Sequence, residues 1–295
     1  MHSAESPWQQ FDITFTAWGS AEQVAALHLA PHLANQEQAG TVTAWFFVRK
    51  HPTWRLRILP APHREAQAVT ALEALFQALC GQGHLTGCAR PIYEPETHAF
   101  GGTAALDITH RLFHHDSRHV LAHVRPPGHA GAAPQDHRRE LSVLLATALM
   151  RAAGQEWAEQ GDVWARLADA RLADDGTRPT AVPRIEAALR RLMTVDSSAG
   201  SPMVAEGSLA TAATWLTGFR AAGERLGALS RSGQMTRGLR AVLAHHILFH
   251  WNRLGVPYAV QSDLAATARH VVLGEDLTRP RLPVTETVGQ GPAAR

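Results

Sequence analysis

The sequence predicts an α+β protein, with a ferredoxin-like sheet in the N-terminal half packed with a mainly helical C-terminal half. Three observations carry this expectation. Over the first hundred residues the apolar positions switch repeatedly between a period of two and a helical period. Beyond Gly102 the helical period alone persists. No internal repeat breaks the pattern, and no apolar run reaches the ~20 residues that a membrane-spanning helix needs.

The elements follow in order. Residues 11–18 alternate apolar and polar and stop at Gly19, as a strand does. Ser20, with Gln23 three positions on, has the spacing of a capping box. The helix it opens carries Val24, Leu27, Leu29 and Leu33 near one stripe, ends around Gly40, and has Pro31 as its point of kinking. Residues 41–49 are β-branched and aromatic, and His51-Pro52 turns the chain into residues 54–59, a hairpin. Residues 64–80 return to helical spacing through Ala68, Val69, Leu72, Leu75, Phe76 and Leu79, and residues 88–93 supply a fourth strand. Strand, helix, strand, strand, helix, strand is the order of a split βαβ unit. Helices are then expected over 104–115, 137–153, 155–171, 183–193, 208–229 and 237–254. Loops rich in Pro, Gly and Ala fall near 125–135 and 196–207. The expected organisation is one domain over 1–276, sheet-rich over 8–102 and helical over 103–276, with a flexible tail over 277–295.

Composition narrows the function classes. The length of 295 residues is ample for a proper core. A formal charge of +2 provides no general field for nucleic acid or an acidic membrane. Cys80 and Cys88 are the only cysteines and lack zinc-knuckle spacing, which points to a reducing compartment. The opening MHSAESPWQQF lacks the order of a signal peptide, so a cytoplasmic protein is expected.

Four constellations could carry chemistry. In a strand, Trp54, Leu56 and Ile58 face one way and Arg55 and Arg57 the other, about 7 Å apart. Two adjacent guanidiniums make a cradle for a carboxylate or phosphate, and equally suit the wet face of a half-covered sheet. In the stretch YEPETHAFGG, Tyr93, Glu94, Glu96 and His98 precede Gly101-Gly102 at a strand end, a common place to present catalytic groups and also an ordinary polar connection. His110 and His114 share a helix face, but no Glu lies between them as a zincin requires and no third ligand is evident, so no metal is expected. His246 and His250 align with Leu239, Leu243 and Leu254 on one helical stripe, where a histidine is either a satisfied core residue or a general base with a tuned pKa. Asn252 and Arg253 stand where last-turn carbonyls need partners.

Taken together, these segments resemble the C-terminal domain of class I lantibiotic dehydratases. AWFFVRK at 44–50 and WRLR at 54–57 are similar to that family's tryptophan-aromatic-arginine hairpin. YEPETHAFGG at 93–102 is similar to its acidic, aromatic-Gly-Gly signature. Asp116-Ser117, EQGDVW at 159–164 and HWNR at 250–253 resemble its stand-alone branch, the thiopeptide-type bacteriocin biosynthesis proteins. The resemblance runs in order over roughly residues 8–275.

The resemblance implies work on a ribosomally made, modified peptide. In such systems one domain glutamylates Ser or Thr of a precursor, and this second domain eliminates glutamate to leave dehydroalanine or dehydrobutyrine. Arg55 and Arg57 would then hold the glutamyl group, and Glu96, His246 or His250 would take the α-proton. Tyr93, Glu94, His98, Ser117, Asn252 and Arg253 would contact substrate. No metal or redox cofactor is required. The implied partners are the precursor peptide, leader and core, and a separate glutamylating subunit, with a homodimer as an added expectation and no direct contact with nucleic acid or membrane. Two alternatives remain open at this stage. One is a formal [4+2] aza-cycloaddition joining two dehydroalanines, as a pyridine synthase does; the other is a non-catalytic peptide-binding accessory. The chain has Ala99 where elimination-active relatives often carry Arg, and Leu248 where they often carry His.

Overall fold

The computed structural model describes residues 6–124, 137–172 and 180–274, so the loop expected over 125–135 and the tail over 277–295 lie outside the described residues. Strand β1 (Gln9–Phe15) stops short of Trp18, which belongs to a 3₁₀ turn, Trp18–Ser20. The expected Ser20 capping box does not form. Ser20 already has helical φ and ψ, so its hydroxyl donates back to the Ala17 carbonyl instead of accepting from the next turn. Helix α1 (Ala21–Val24) passes through a π turn (Ala25–Leu29) into α2 (Ala30–Gln38). Pro31 has no N–H to return to the carbonyl four residues back, and the change of winding falls just before it.

Strands β2 (Val42–Lys50) and β3 (Thr53–Pro60) form the hairpin about the His51-Pro52 turn. Helix α3 (Glu65–Gly81) leads to β4 (Leu85–Ala89). The fourth strand therefore lies earlier than 88–93. Its pairing with β1 ends at Ala89 opposite Asp12, and Pro91, lacking an N–H, could not extend the ladder. Residues 90–96 are irregular.

The sheet order is β2-β3-β1-β4 with every neighbouring pair antiparallel, the ferredoxin-like arrangement that the order of elements predicts. Phe11 and Ile13 of β1, Trp45 and Phe47 of β2, and Trp54, Leu56 and Ile58 of β3 are buried in one cluster with Leu33, Leu72 and Phe76 of the helices. The pleat sends Phe46, Val48, Arg55 and Arg57 to the opposite face.

The second half is helical: α4 (Thr103–His123), α5 (Arg138–Ala152), α6 (Trp157–Asp169), α7 (Pro183–Thr194), α8 (Pro202–Ala205), α9 (Ala213–Arg231), α10 (Leu239–Leu254) and α11 (Tyr258–Leu273). Helix α4 runs about two turns beyond its expected end at 115, because Asp116, Ser117, Val120 and Leu121 continue its buried stripe. The expected loop over 196–207 contains α8, and the helix expected from 208 opens as a 3₁₀ turn at Ala210–Ala212. Helices α5 and α9 cross closely at glycine: a Cβ at Gly223 would stand 2.3 Å from the Leu149 carbonyl oxygen. One apolar cluster runs from Phe11 in the sheet to Val271 in α11. Among the described residues no helix is long and apolar enough to cross a membrane.

Candidate functional site

The face of the sheet away from α1–α3 is divided. At one end, Phe46 packs with Trp8, Tyr93, Phe100, Leu106 and Phe113 in a second, aromatic cluster. Bordering it, Arg57 lies opposite Phe46 and Gln10, and Arg55, one pleat further along β3, opposite Val48 and Asp12. Arg57 is mostly buried. Its Nε donates to Gln10 Oε1 at 2.8 Å, and its guanidinium lies 4.5 Å from the Tyr93 ring centroid and 5.3 Å from that of Phe46. These contacts fix the plane of the guanidinium, while its two outer nitrogens have no hydrogen-bond partner among the described residues. Arg55 is more open. Its Nε sits 3.9 Å from Asp12 Oδ2, too long for a hydrogen bond, and is a buried donor without a partner.

Residues 90–96 carry the chain across this face. Tyr93 is buried, and burial pushes its phenol up to about 12, so it stays protonated. Its hydroxyl lies 2.9 Å from His110 Nε2, and burial lowers that imidazole to about 4, leaving the ring neutral and able to accept. Glu96 is more than half exposed and stands 3.2 Å from His245 Nε2. The hydrogen bond to His245 holds the Glu96 carboxyl below its ordinary range, against the opposing effect of partial burial, with Arg57 and Lys50 adding to the lowering. Glu94 and His98 are exposed on the same segment. Gly101 and Gly102 both have positive φ, 90° and 103°. The close approach there is internal: Thr236 N–H donates to the Gly101 carbonyl, and a Cβ on Gly101 would meet Met235 at 2.8 Å.

The remaining predicted site residues lie deeper. His246 is buried; Thr109 gives its hydroxyl hydrogen to the Ala105 carbonyl, so His246 Nε2–H donates to Thr109 Oγ1 at 3.3 Å. Burial lowers His246 to about 3. His250 and Arg253 are fully buried and converge on Asp116, at 3.0 Å from Nδ1 and 2.7 Å from Nε, with Trp215 Nε1 donating to the same carboxylate at 2.9 Å. Burial raises Asp116, but His250 and Arg253 outweigh it and hold the carboxyl well below its usual range.

Ser117 and Asn252 take part in a second arrangement. Among the described residues the outer edge of β2 has no strand beside it, and helix side chains take that place. Phe47 N–H donates to Ser117 Oγ at 3.2 Å, Arg49 N–H donates to Asn252 Oδ1 at 2.8 Å, and Asn252 Nδ2 donates to the Arg49 carbonyl at 2.6 Å. His114 Nδ1 lies 3.1 Å from Trp45 N, while its Nε2 faces Glu37. Thus α4 and α10 are moored to the sheet beneath the exposed site.

The structure brings Arg55, Arg57, Tyr93 and Glu96 together at one rim. His246, His250 and Arg253 lie in the interior, and Ser117 and Asn252 sit on the β2 edge. Sequence reasoning passed over His245, because Leu243 and His246 define the stripe and His245 falls just off it; only the fold reveals that Glu96 faces it. His110 and His114 have separate partners, and among the described residues no group of three or more His, Cys, Asp or Glu could hold a metal. A larger cavity of about 500 Å³ opens near the C-terminal end of α4, lined by His119, His123, Leu144 and Trp215, and none of the rim residues reaches it.

The family described as lantibiotic biosynthesis dehydratase C-term matches residues 8–272, and the chain belongs to that family. Among solved structures it is similar to the tRNA-dependent lantibiotic dehydratase MibB from Microbispora sp. 107891, with 20% identity and a TM-score of 0.66 over 93% of this chain. The chain spans 28% of that protein's length. It is also similar to TsrL (16% identity, TM-score 0.59, covering 93% of this chain and 100% of TsrL). A third likeness is to TbtD, a pyridine synthase from thiomuracin biosynthesis (21% identity, TM-score 0.53, covering 90% of this chain and 99% of TbtD). At these identities the likeness is one of fold. A comparison with curated protein sequences gives no match.

Proposed function

We infer that this protein acts in the maturation of a ribosomally made peptide, eliminating glutamate from glutamylated Ser or Thr to leave dehydroalanine or dehydrobutyrine. The observation that carries the reading is Arg57, immobilised by Gln10 and Tyr93 with its outer nitrogens unengaged, beside Arg55 and the Glu96 carboxylate. A glutamyl ester has one free carboxylate and develops a second as it leaves, which two preorganised guanidiniums suit. The α-proton is removed at the rim, its electron pair becomes the Cα=Cβ bond, and the Cβ–O bond breaks to release glutamate. Exposed Glu94 and His98 flank the path of the peptide chain. The buried Asp116, His250 and Arg253, with Ser117 and Asn252, hold α4 and α10 in place against β2. In this reading the glutamyl group comes from a separate glutamylating partner.

Two observations favour a second reading, aza-cycloaddition: the chain matches nearly the whole length of TbtD, and Ala99 and Leu248 stand where elimination-active relatives often carry Arg and His. The two separate by mutation. Arg55→Ala and Arg57→Ala are each expected to accumulate glutamylated peptide, seen by mass spectrometry, with elimination slowed roughly 100-fold. Unchanged dehydration in both variants overturns the elimination reading.

A further inference from the structure

Resting on the elimination reading, we propose that His245 is the base that removes the α-proton, through Nδ1, and that Glu96 acts as its positioning residue. His245 Nε2 and Glu96 Oε2 are 3.2 Å apart. An ionised carboxylate only accepts, so the hydrogen of a neutral His245 sits on Nε2 and the lone pair on Nδ1. Among the described residues Nδ1 has no hydrogen-bond partner, and it is not among the buried polar atoms left unpaired. The ring is otherwise held by Phe100 and Phe249, with centroids at 4.7 and 5.0 Å, and the side chain keeps 22% of its exposure. An imidazole that is oriented by a carboxylate, wedged between aromatic rings and still open at one nitrogen is equipped to take a proton.

The neighbouring candidates lack that combination. His246 Nδ1 is buried without a partner, and His250 commits Nδ1 to Asp116 in a closed interior. Glu96 alone is a weakened base because its carboxylate is already stabilised by His245, Arg57 and Lys50. The charged or titratable groups recorded against His245 are Glu96 from the loop over 90–96 and His246 beside it on α10, while Arg57 from β3 and Lys50 from β2 act on the Glu96 carboxylate. The cations polarise the site where negative charge gathers on the departing glutamate, and Glu96 stabilises the imidazolium that forms. After the step the proton is on Nδ1, the electron pair is in Cα=Cβ, and glutamate has left as its carboxylate; solvent then takes the proton.

The test measures elimination rate against pH on a precursor peptide bearing O-glutamylserine prepared with a glutamylating enzyme, using the full chain. His245→Ala is expected to slow elimination about 100-fold or more, with partial rescue by added imidazole. Glu96→Gln is expected to slow it about 10-fold and to move the acid limb of the profile to lower pH, because the imidazolium loses its counter-charge. A merely structural role for the pair would lower the rate without moving the limb and would show no imidazole rescue; that result overturns the proposal. Circular dichroism of each variant separates loss of fold from loss of chemistry, and His245→Gln provides a second variant of similar shape. Near wild-type rate in His245→Ala, with Arg57→Ala accumulating glutamylated peptide, overturns the base assignment and leaves elimination standing. No elimination by the wild-type protein removes both.

Discussion

At the scale of the residue, the site depends on which polar groups the fold leaves open. Arg57 and Arg253 are both buried guanidiniums. Arg253 has Asp116 paired with it and Phe113 beneath it, whereas Arg57 is hydrogen-bonded to a neutral Gln10, packs on aromatic rings and meets Glu96 and Asp12 only at longer range. The buried histidines give a pH signature. Burial lowers His246 to about 3 and His110 to about 4, below the unfolded value of ~6.5. Between those limits the unfolded chain binds protons that the folded chain refuses, so stability rises with pH. The stability these neutral rings contribute is complete above ~6.5 and is lost as pH falls toward their folded values. Thermal unfolding should therefore shift to lower temperature between about pH 7 and pH 5, and His246→Phe should flatten that slope. An equally steep slope in His246→Phe would place the acid sensitivity elsewhere.

At the scale of the element, the open edge of β2 is the instructive case. An unpaired strand edge normally exposes a row of N–H and C=O groups. Here Ser117 and Asn252 supply the missing partners from two helices. Asn252→Leu should leave both backbone groups of Arg49 without those partners and destabilise the fold by about 1–3 kcal/mol, measured by urea unfolding; a change within about 0.5 kcal/mol would mean that water replaces the amide. None of this was legible in the sequence. The sequence offers Asn252 and Arg253 as partners for their own helix's last-turn carbonyls or, with Ser117, as substrate contacts, because spacing along a chain does not show which strand edge a helix will meet. The hairpin, α3 and the strand order were legible, since their periodicity and turn chemistry are local. Strand β4 was displaced because Cys88 and Tyr93 look equally strand-like until pairing with β1 ends at Ala89. Helix α11 was passed over although Leu264, Ala268 and Val271 carry a helical stripe; its run of small alanines gives weak contrast. The start of α6 was missed in detail too, since its capping box uses Glu156 and Glu159 rather than the usual Ser or Thr.

At the scale of the molecule, the sheet half and the helical half are joined by polar ties as well as by the apolar cluster. Glu22 on α1 accepts from Arg49 on β2 and from Arg138 on α5. The same two arginines donate to the carbonyls of Arg253 and Leu254 at the end of α10. The rim bearing Arg55, Arg57, Glu96 and His245 draws on both halves, so its geometry depends on this docking. In the proposed reaction the sheet contributes the glutamate cradle and α10 contributes the base, while activation of the substrate comes from another protein.

The most direct measurement is mass spectrometry of a precursor peptide incubated with its glutamylating partner, with and without this protein. The account predicts glutamyl adducts that persist without it and become dehydrated residues when it is added. Dehydration already complete in its absence, or adducts untouched in its presence, would contradict glutamate elimination as its reaction.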